Sequence, residues 1–201
     1  WLWLGLLVQL GASACMAYLT SSVMIGDAVL YHRMAVGLAS GSIDLGSLRW
    51  YGTPMVAILA SLWYRLFGVS FLGMFFVSGV VSYLAKCLIL RSIGLLTDEP
   101  RTRQLTATLI LWLPSFSAWN GMLGKEPYIS LGIAMTLYGV SLSQRSRVRG
   151  GVCSLAGVFV TGVIRPHFAA IELTALVAAG VLERGVRHRK TCVPLVLLLL
   201  V

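Results

Sequence analysis

Long apolar runs separated by short basic segments are the main pattern along this chain. About 20 apolar helical residues cross a bilayer core about 30 Å thick. Several runs reach or approach that length, and the candidate spans are residues 1–22, 69–90, 105–122, 127–144, 151–164, 168–182 and a run starting at 193. The pattern predicts an all-α, polytopic helical membrane protein that forms a single helical transmembrane domain over residues 1–201.

One apolar segment, residues 54–68, is too short to cross comfortably and carries Arg65. If it crossed, the next basic segment would lie outside the cell. We therefore predict an interfacial or re-entrant helix on the outer side, between the first two spans.

The basic residues set the predicted topology. Three segments, residues 91–103, 145–149 and 183–190, contain ten of the sixteen Lys and Arg residues. The positive-inside rule places all three in the cytoplasm. A net charge of +9 divided into such blocks favours membrane lipids over nucleic acid as the partner.

This topology makes residues 151–182 a hairpin whose apex is the sequence RPHF, residues 165–168. Each arm has about 15 apolar residues, which is about 22 Å of helix. We expect the apex to lie below the outer surface, in the membrane or in an outward-opening cavity.

Composition agrees with a membrane protein, since 58% of residues are hydrophobic and 11% are charged. The chain opens with WLWLGLL and stops inside an apolar run, so we expect a fragment of a longer protein, truncated at both ends. The cysteines form no C-x-x-C pair and are predicted to be packing residues, so no metal site is predicted from them.

Polar residues collect in three segments that the topology places on the outer side: residues 26–35, 119–128 and 165–168. Ionisable groups at membrane depth are functional candidates, because their burial is costly. The candidates for one outward-facing site are Asp27, Tyr31, His32, Arg33, Lys125, Glu126, Arg165 and His167.

Two interpretations of Asp27 stay open. It could be a helix N-cap, or a carboxylate that takes a proton from an acceptor hydroxyl. Lys125 could be an ordinary loop residue or could bind an anion with the following helix N-terminus, where Glu126 is also favourable. Glu172 is a supporting residue that could neutralise Arg165.

The order of features between residues 26 and 91 resembles the C-type (GT-C) membrane glycosyltransferases. The matching features are "GD" followed by "YHRMA", a turn at "WYGTP", the short helix ending "LWYRLFGVS", and a following membrane helix. Dolichyl-phosphate-mannose protein mannosyltransferases and lipid A aminoarabinose transferases have this layout. The stretches "GKEP" and "IRPHF" are similar to bacterial exopolysaccharide and O-antigen membrane proteins.

The resemblance implies transfer of a sugar from a polyprenyl-phosphate donor to a glycan, lipid or protein acceptor, with Asp27 as the base. Lys125, Arg165, His167, Tyr31 and His32 would bind substrate or phosphate. "GTP" at 52–54 stands where the family has paired prolines, so the donor sugar is left open.

We expect a bacterial inner-membrane protein with its site facing outward. No cofactor is predicted, and a divalent metal is left open. Two alternatives remain: a polysaccharide polymerase or ligase, and a transporter of lipid-linked glycans or anions whose broken hairpin binds an anion.

Overall fold

A computed structural model of the chain describes residues 2–23 and 26–185, with side-chain surroundings as far as residue 180. The predicted span starting at 193 lies outside the described residues, as does most of the basic segment 183–190. Within the described residues there are nine α-helices and no strand. They are α1 (Leu2–Val23), α2 (Asp27–Ser40), α3 (Thr53–Phe67), α4 (Phe71–Leu96), α5 (Pro100–Trp112), α6 (Pro114–Asn120), α7 (Glu126–Ser143), α8 (Arg147–Ile164) and α9 (Pro166–Gly185).

Three of the described helices, α1, α4 and α8, are long and apolar enough to cross a membrane. Many of their large apolar side chains are exposed, including Leu7, Leu84 and Phe159. Outward-facing apolar surface of this kind suits contact with lipid. The prediction of an all-α helical membrane protein is therefore confirmed.

Two helices, α2 and α3, stand between the first two long apolar helices, in the order that the sequence predicts. Pro54 lies in the first turn of α3, where its missing N–H removes no helical hydrogen bond. The two helices pack together, and Nη2 of Arg65 donates to the carbonyl oxygen of Leu38 at 2.7 Å. Arg65 thus anchors α3 to α2.

The predicted span 105–122 is wrong as a single helix. The structure ends α5 at Trp112 and begins α6 at Pro114, with the extended residue Leu113 between them. Proline inside a helix loses one hydrogen bond and clashes with the preceding turn, and the residue before proline avoids helical geometry. Pro114 therefore divides the segment.

Small residues bring α7 and α8 into close antiparallel contact. Gly132 and Gly139 of α7 face Gly157 and Gly150 of α8. A Cβ atom on Gly150 would lie only 2.5 Å from the Cα atom of Ser143. In a membrane, where apolar burial does not drive helices together, such small residues allow close backbone packing.

The arms of the 151–182 hairpin are longer than the apolar pattern predicted. Helix α8 has 18 residues and α9 has 20, about 27 Å and 30 Å of helix at 1.5 Å per residue. The difference arises because the charged ends, from Arg147 onward and through Arg184, are also helical. Arm length therefore gives no reason to place the apex below the membrane surface.

A hydrophobic cluster joins the helix ends that carry the predicted polar segments. Its members come from six helices and include Ala17, Tyr31, Tyr64, Phe75, Ile129 and Ile164. We call this the Tyr31 end of the molecule. The described basic segments lie around the far ends of α4 and α7, away from the Tyr31 end.

Candidate functional site

Backbone contact between α3 and α8 organises the Tyr31 end. The N–H of Gly52, just before α3, donates to the carbonyl oxygen of Val163 at 2.8 Å. Gly52 has a φ of 75°, a conformation that glycine adopts without the strain of a side chain. This contact places the N-terminus of α3 beside the break between α8 and α9.

Asp27 is exposed and occupies the first turn of α2. The N-cap position belongs to Gly26, whose φ is 115°, so the interpretation of Asp27 as the N-cap is wrong. A carboxylate in the first turn still interacts favourably with the helix dipole. The Asp27 side chain makes no hydrogen bond with the described residues and faces solvent.

Tyr31 is buried at the centre of this region, one turn after Asp27. Burial raises the pKa of its phenol, and the charges of Asp27 and Glu126 act in the same direction. Thr53 and Arg165 act in the opposite direction. The phenol therefore lies near residues of three other segments, at Thr53, Glu126 and Arg165, and the topology predicted its grouping with the last two.

Arg165 forms its ion pair with Glu126. The two side chains meet through Nη2 and Oε1 at 3.0 Å, and both are partly exposed. Arg165 is the extended residue between α8 and α9, and Glu126 begins α7, so both stand at helix ends on the same level. The guanidinium also lies over the ring of Phe168, at 5.7 Å from its centroid.

Gly124 makes room for this ion pair. A Cβ atom at that position would lie 2.5 Å from Oε2 of Glu126. The stretch GKEP places Glu126, followed by Pro127, in the first turn of α7, and a larger residue at 124 would have to displace the Glu126 carboxylate.

The expectation that Glu172 neutralises Arg165 is wrong. Glu172 is fully buried in α9, and its Oε2 accepts a hydrogen bond of 2.9 Å from the hydroxyl of Thr136 on α7. Seven helical residues separate Glu172 from Arg165, which is about 10 Å along the axis. Glu172 instead connects α9 to α7 through this hydrogen bond.

The other predicted site residues take different positions. His32 points to α3, where its Nδ1 lies 2.6 Å from the Tyr64 hydroxyl. Lys125 is half-buried beside Glu126 and forms no salt bridge with a described carboxylate. His167 is exposed and packs against Phe168, while Arg33 is exposed on α2.

Thr53 is a neighbour of Tyr31 that the sequence analysis did not select. The only signal for it is its place beside Pro54, at the start of a short helix. Across the described ranges 2–23 and 26–185, no group of three or more His, Cys, Asp and Glu residues could hold a metal ion.

The arrangement combines an exposed carboxylate, a buried phenol and a partly exposed guanidinium at one end of a helical membrane protein. It can accept a proton and bind an anion at neighbouring points. Comparison with protein-family models, curated proteins and solved structures finds no significant match to this chain.

Proposed function

We propose that this protein is a membrane glycosyltransferase that moves a sugar from a polyprenyl-phosphate donor to an acceptor at the outer membrane face. Asp27 takes the proton of the acceptor hydroxyl. The acceptor oxygen forms a bond to the anomeric carbon as the bond from that carbon to the phosphate oxygen breaks. Polyprenyl phosphate then leaves with the bonding electrons.

The observation that carries this proposal is the convergence of Asp27 and Arg165 around Tyr31. These residues are 138 positions apart in the sequence, and their chain neighbours Ala28 and Ile164 belong to one hydrophobic cluster with Tyr31. A base and a cation at neighbouring points are what transfer from a phosphate leaving group requires.

Glu126 leaves Arg165 able to bind phosphate. The ion pair uses Nη2 of the guanidinium, and its other nitrogens donate to no described residue. Guanidinium groups bind phosphate with two parallel hydrogen bonds, so these remaining donors suit the leaving group. Glu126 would orient the guanidinium before the donor arrives.

An apolar groove suits the lipid part of the donor. It has a volume of about 280 Å³ and lies between α3, α4 and α7, with Trp63, Met74 and Tyr128 among its lining residues. Met74 also belongs to the cluster around Tyr31. A polyprenyl chain in this groove would therefore have its phosphate near the polar residues.

The test is sugar transfer from a panel of radiolabelled polyprenyl-phosphate sugars in membranes that contain the protein. Asp27→Asn cannot accept the proton, so transfer should fall about 10²–10⁴-fold while donor binding persists. Asp44→Asn is the matched control, because Asp44 is also exposed but lies outside the Tyr31 end.

Equal transfer by wild type and Asp27→Asn would remove Asp27 as the base. Release of long glycan chains would instead support a polymerase or ligase. Movement of labelled donor across vesicles without transfer would support a transporter and overturn the proposal.

A further inference from the structure

A lysine is buried inside the long apolar helix α4. Lys86 is fully buried, and its Nζ atom donates to the hydroxyl oxygen of Ser117 on α6 at 2.7 Å. The same nitrogen lies 5.4 Å from the ring centroid of Phe116. No described carboxylate forms a salt bridge with it.

Buried polar side chains from α1 and α4 surround this part of the molecule. Ser82 and Ser78 lie one and two turns before Lys86 on the same face of α4. From α1, Nε2 of Gln9 donates to the carbonyl oxygen of Ser117 at 3.0 Å, and the Ser13 hydroxyl packs against Gly79 and Gly121. Thus α1, α4 and α6 share one polar cluster.

Several atoms of this cluster lack a hydrogen-bond partner among the described residues. They are Oε1 of Gln9 and the hydroxyl oxygens of Ser13, Ser78 and Ser82, and all four side chains are fully buried. Buried polar groups without partners are uncommon in folded proteins and need an explanation such as an ion that the structure does not contain.

The positive charge of Lys86 favours an anion as a ligand of this cluster, with the serine hydroxyls as donors and not the Gln9 amide oxygen, which only accepts. The contacts of Lys86 with a hydroxyl oxygen and an aromatic face suit a protonated ammonium. Ionisable residues inside membrane helices are almost always paired, and serine hydroxyls have hydrogens to donate to an anion beside the ammonium. A metal cation would instead be repelled.

We propose that Lys86, Ser82 and Ser13 form an intramembrane binding site for a small inorganic anion of the halide class. Complete burial of every member favours a small ion over a phosphate headgroup or a sugar. Met74, at the Tyr31 end, is twelve residues from Lys86, about 18 Å along α4. The site is therefore separate from the proposed transferase site.

Chloride-dependent thermal unfolding of the purified chain in detergent tests this proposal. Chloride replaces gluconate at constant ionic strength, so that general screening does not change. A ligand that binds only the folded state raises its stability, and the melting temperature of wild type should rise with chloride. Lys86→Met should lose this rise, whereas Arg91→Met, an exposed cation on the same helix, should retain it.

Ser82→Ala keeps the ammonium and removes one donor. Its chloride titration should need about tenfold more chloride for the same rise in melting temperature. This variant decides the question if Lys86→Met does not fold. A wild-type protein insensitive to chloride, or an equal response in wild type and Lys86→Met, would overturn the anion site, as would an unchanged titration in Ser82→Ala.

Discussion

Nη2 of Arg165 lies 3.0 Å from Oε1 of Glu126, joining the break between α8 and α9 to the N-terminus of α7. The arginine therefore has a protein partner at its own level, while Glu172 is held elsewhere by Thr136. Arg165 therefore pairs with Glu126 and not with Glu172, which is nearer in the sequence. The strength of this ion pair can be measured.

A double-mutant cycle should find coupling between Arg165 and Glu126. Both side chains are partly exposed, so Arg165→Ala and Glu126→Ala should show a coupling of about 0.2–1 kcal/mol in the free energy of unfolding. The parallel cycle of Arg165→Ala with Glu172→Ala should show less. Stronger coupling to Glu172 would contradict the ion pair that the structure places at the apex.

Two adjacent glycines of α8 should respond oppositely to alanine. The Cβ of Gly150→Ala would lie 2.5 Å from backbone atoms of Ser143, so the helices must separate, at a cost of about 1–3 kcal/mol. Gly151→Ala meets nothing within 4 Å and should gain up to about 1 kcal/mol from better helix propensity. Thermal unfolding compares them directly, and equal losses at both positions would argue against close packing of α7 and α8.

His32 should make stability depend on acidity. Burial, with a smaller effect of Arg33, lowers the pKa of His32 below its usual value near 6.5. Below that pH the unfolded chain binds a proton that the folded protein resists, so stability should fall as the pH drops from about 6.5 toward the folded pKa. The contribution should be fully present above about pH 6.5.

The control for this experiment is a histidine that is exposed instead of buried. His32→Gln should remove this part of the acid sensitivity, and His167→Gln should not, because His167 is exposed. Unfolding midpoints at about pH 7.5 and about pH 5 provide the measurement. Identical pH dependence in wild type and His32→Gln would assign the effect to other groups.

Single cysteines test the predicted topology. With the native cysteines replaced, Asp44→Cys and Lys125→Cys should react with an impermeant thiol reagent from outside. Arg101→Cys and Arg147→Cys should react only after the membrane is opened, because basic segments stay in the cytoplasm. Position 188 is predicted to be inside as well, although it lies outside the described residues. Labelling of Arg147→Cys from outside would contradict the predicted topology.

The sequence predicts most of the helices and the grouping of the polar segments, because the length of an apolar run and the position of charged residues are local features of the chain. The sequence does not predict which of two residues distant along the chain contacts a given side chain. Glu126 and Glu172 are both plausible partners for Arg165, and only the packing of α7 beside α8 selects the first. The break at Leu113 has a local signal in Pro114. The prediction of one span over residues 105–122 followed the continuous apolar run instead.

Lys86 is a buried cation that the apolar pattern of the sequence does not reveal. One lysine inside an apolar run does not change the prediction that the run spans the membrane, so the prediction gives no reason to select it. The signal that was present is its spacing from Ser78 and Ser82, which gives α4 a polar face at helical intervals. Burial of that face against Ser117 depends on the position of α6, which local sequence does not specify.

The hydrogen bond from Gly52 to Val163 makes the apex sensitive to the membrane itself. Gly52 directly precedes α3, a short apolar helix predicted to lie at the surface, and Val163 is two residues before Arg165. A thicker or thinner bilayer changes the preferred tilt of the helices embedded in it. Because this hydrogen bond joins the start of α3 to the residue two positions before Arg165, we expect a change in the tilt of α3 to shift the backbone that carries the guanidinium.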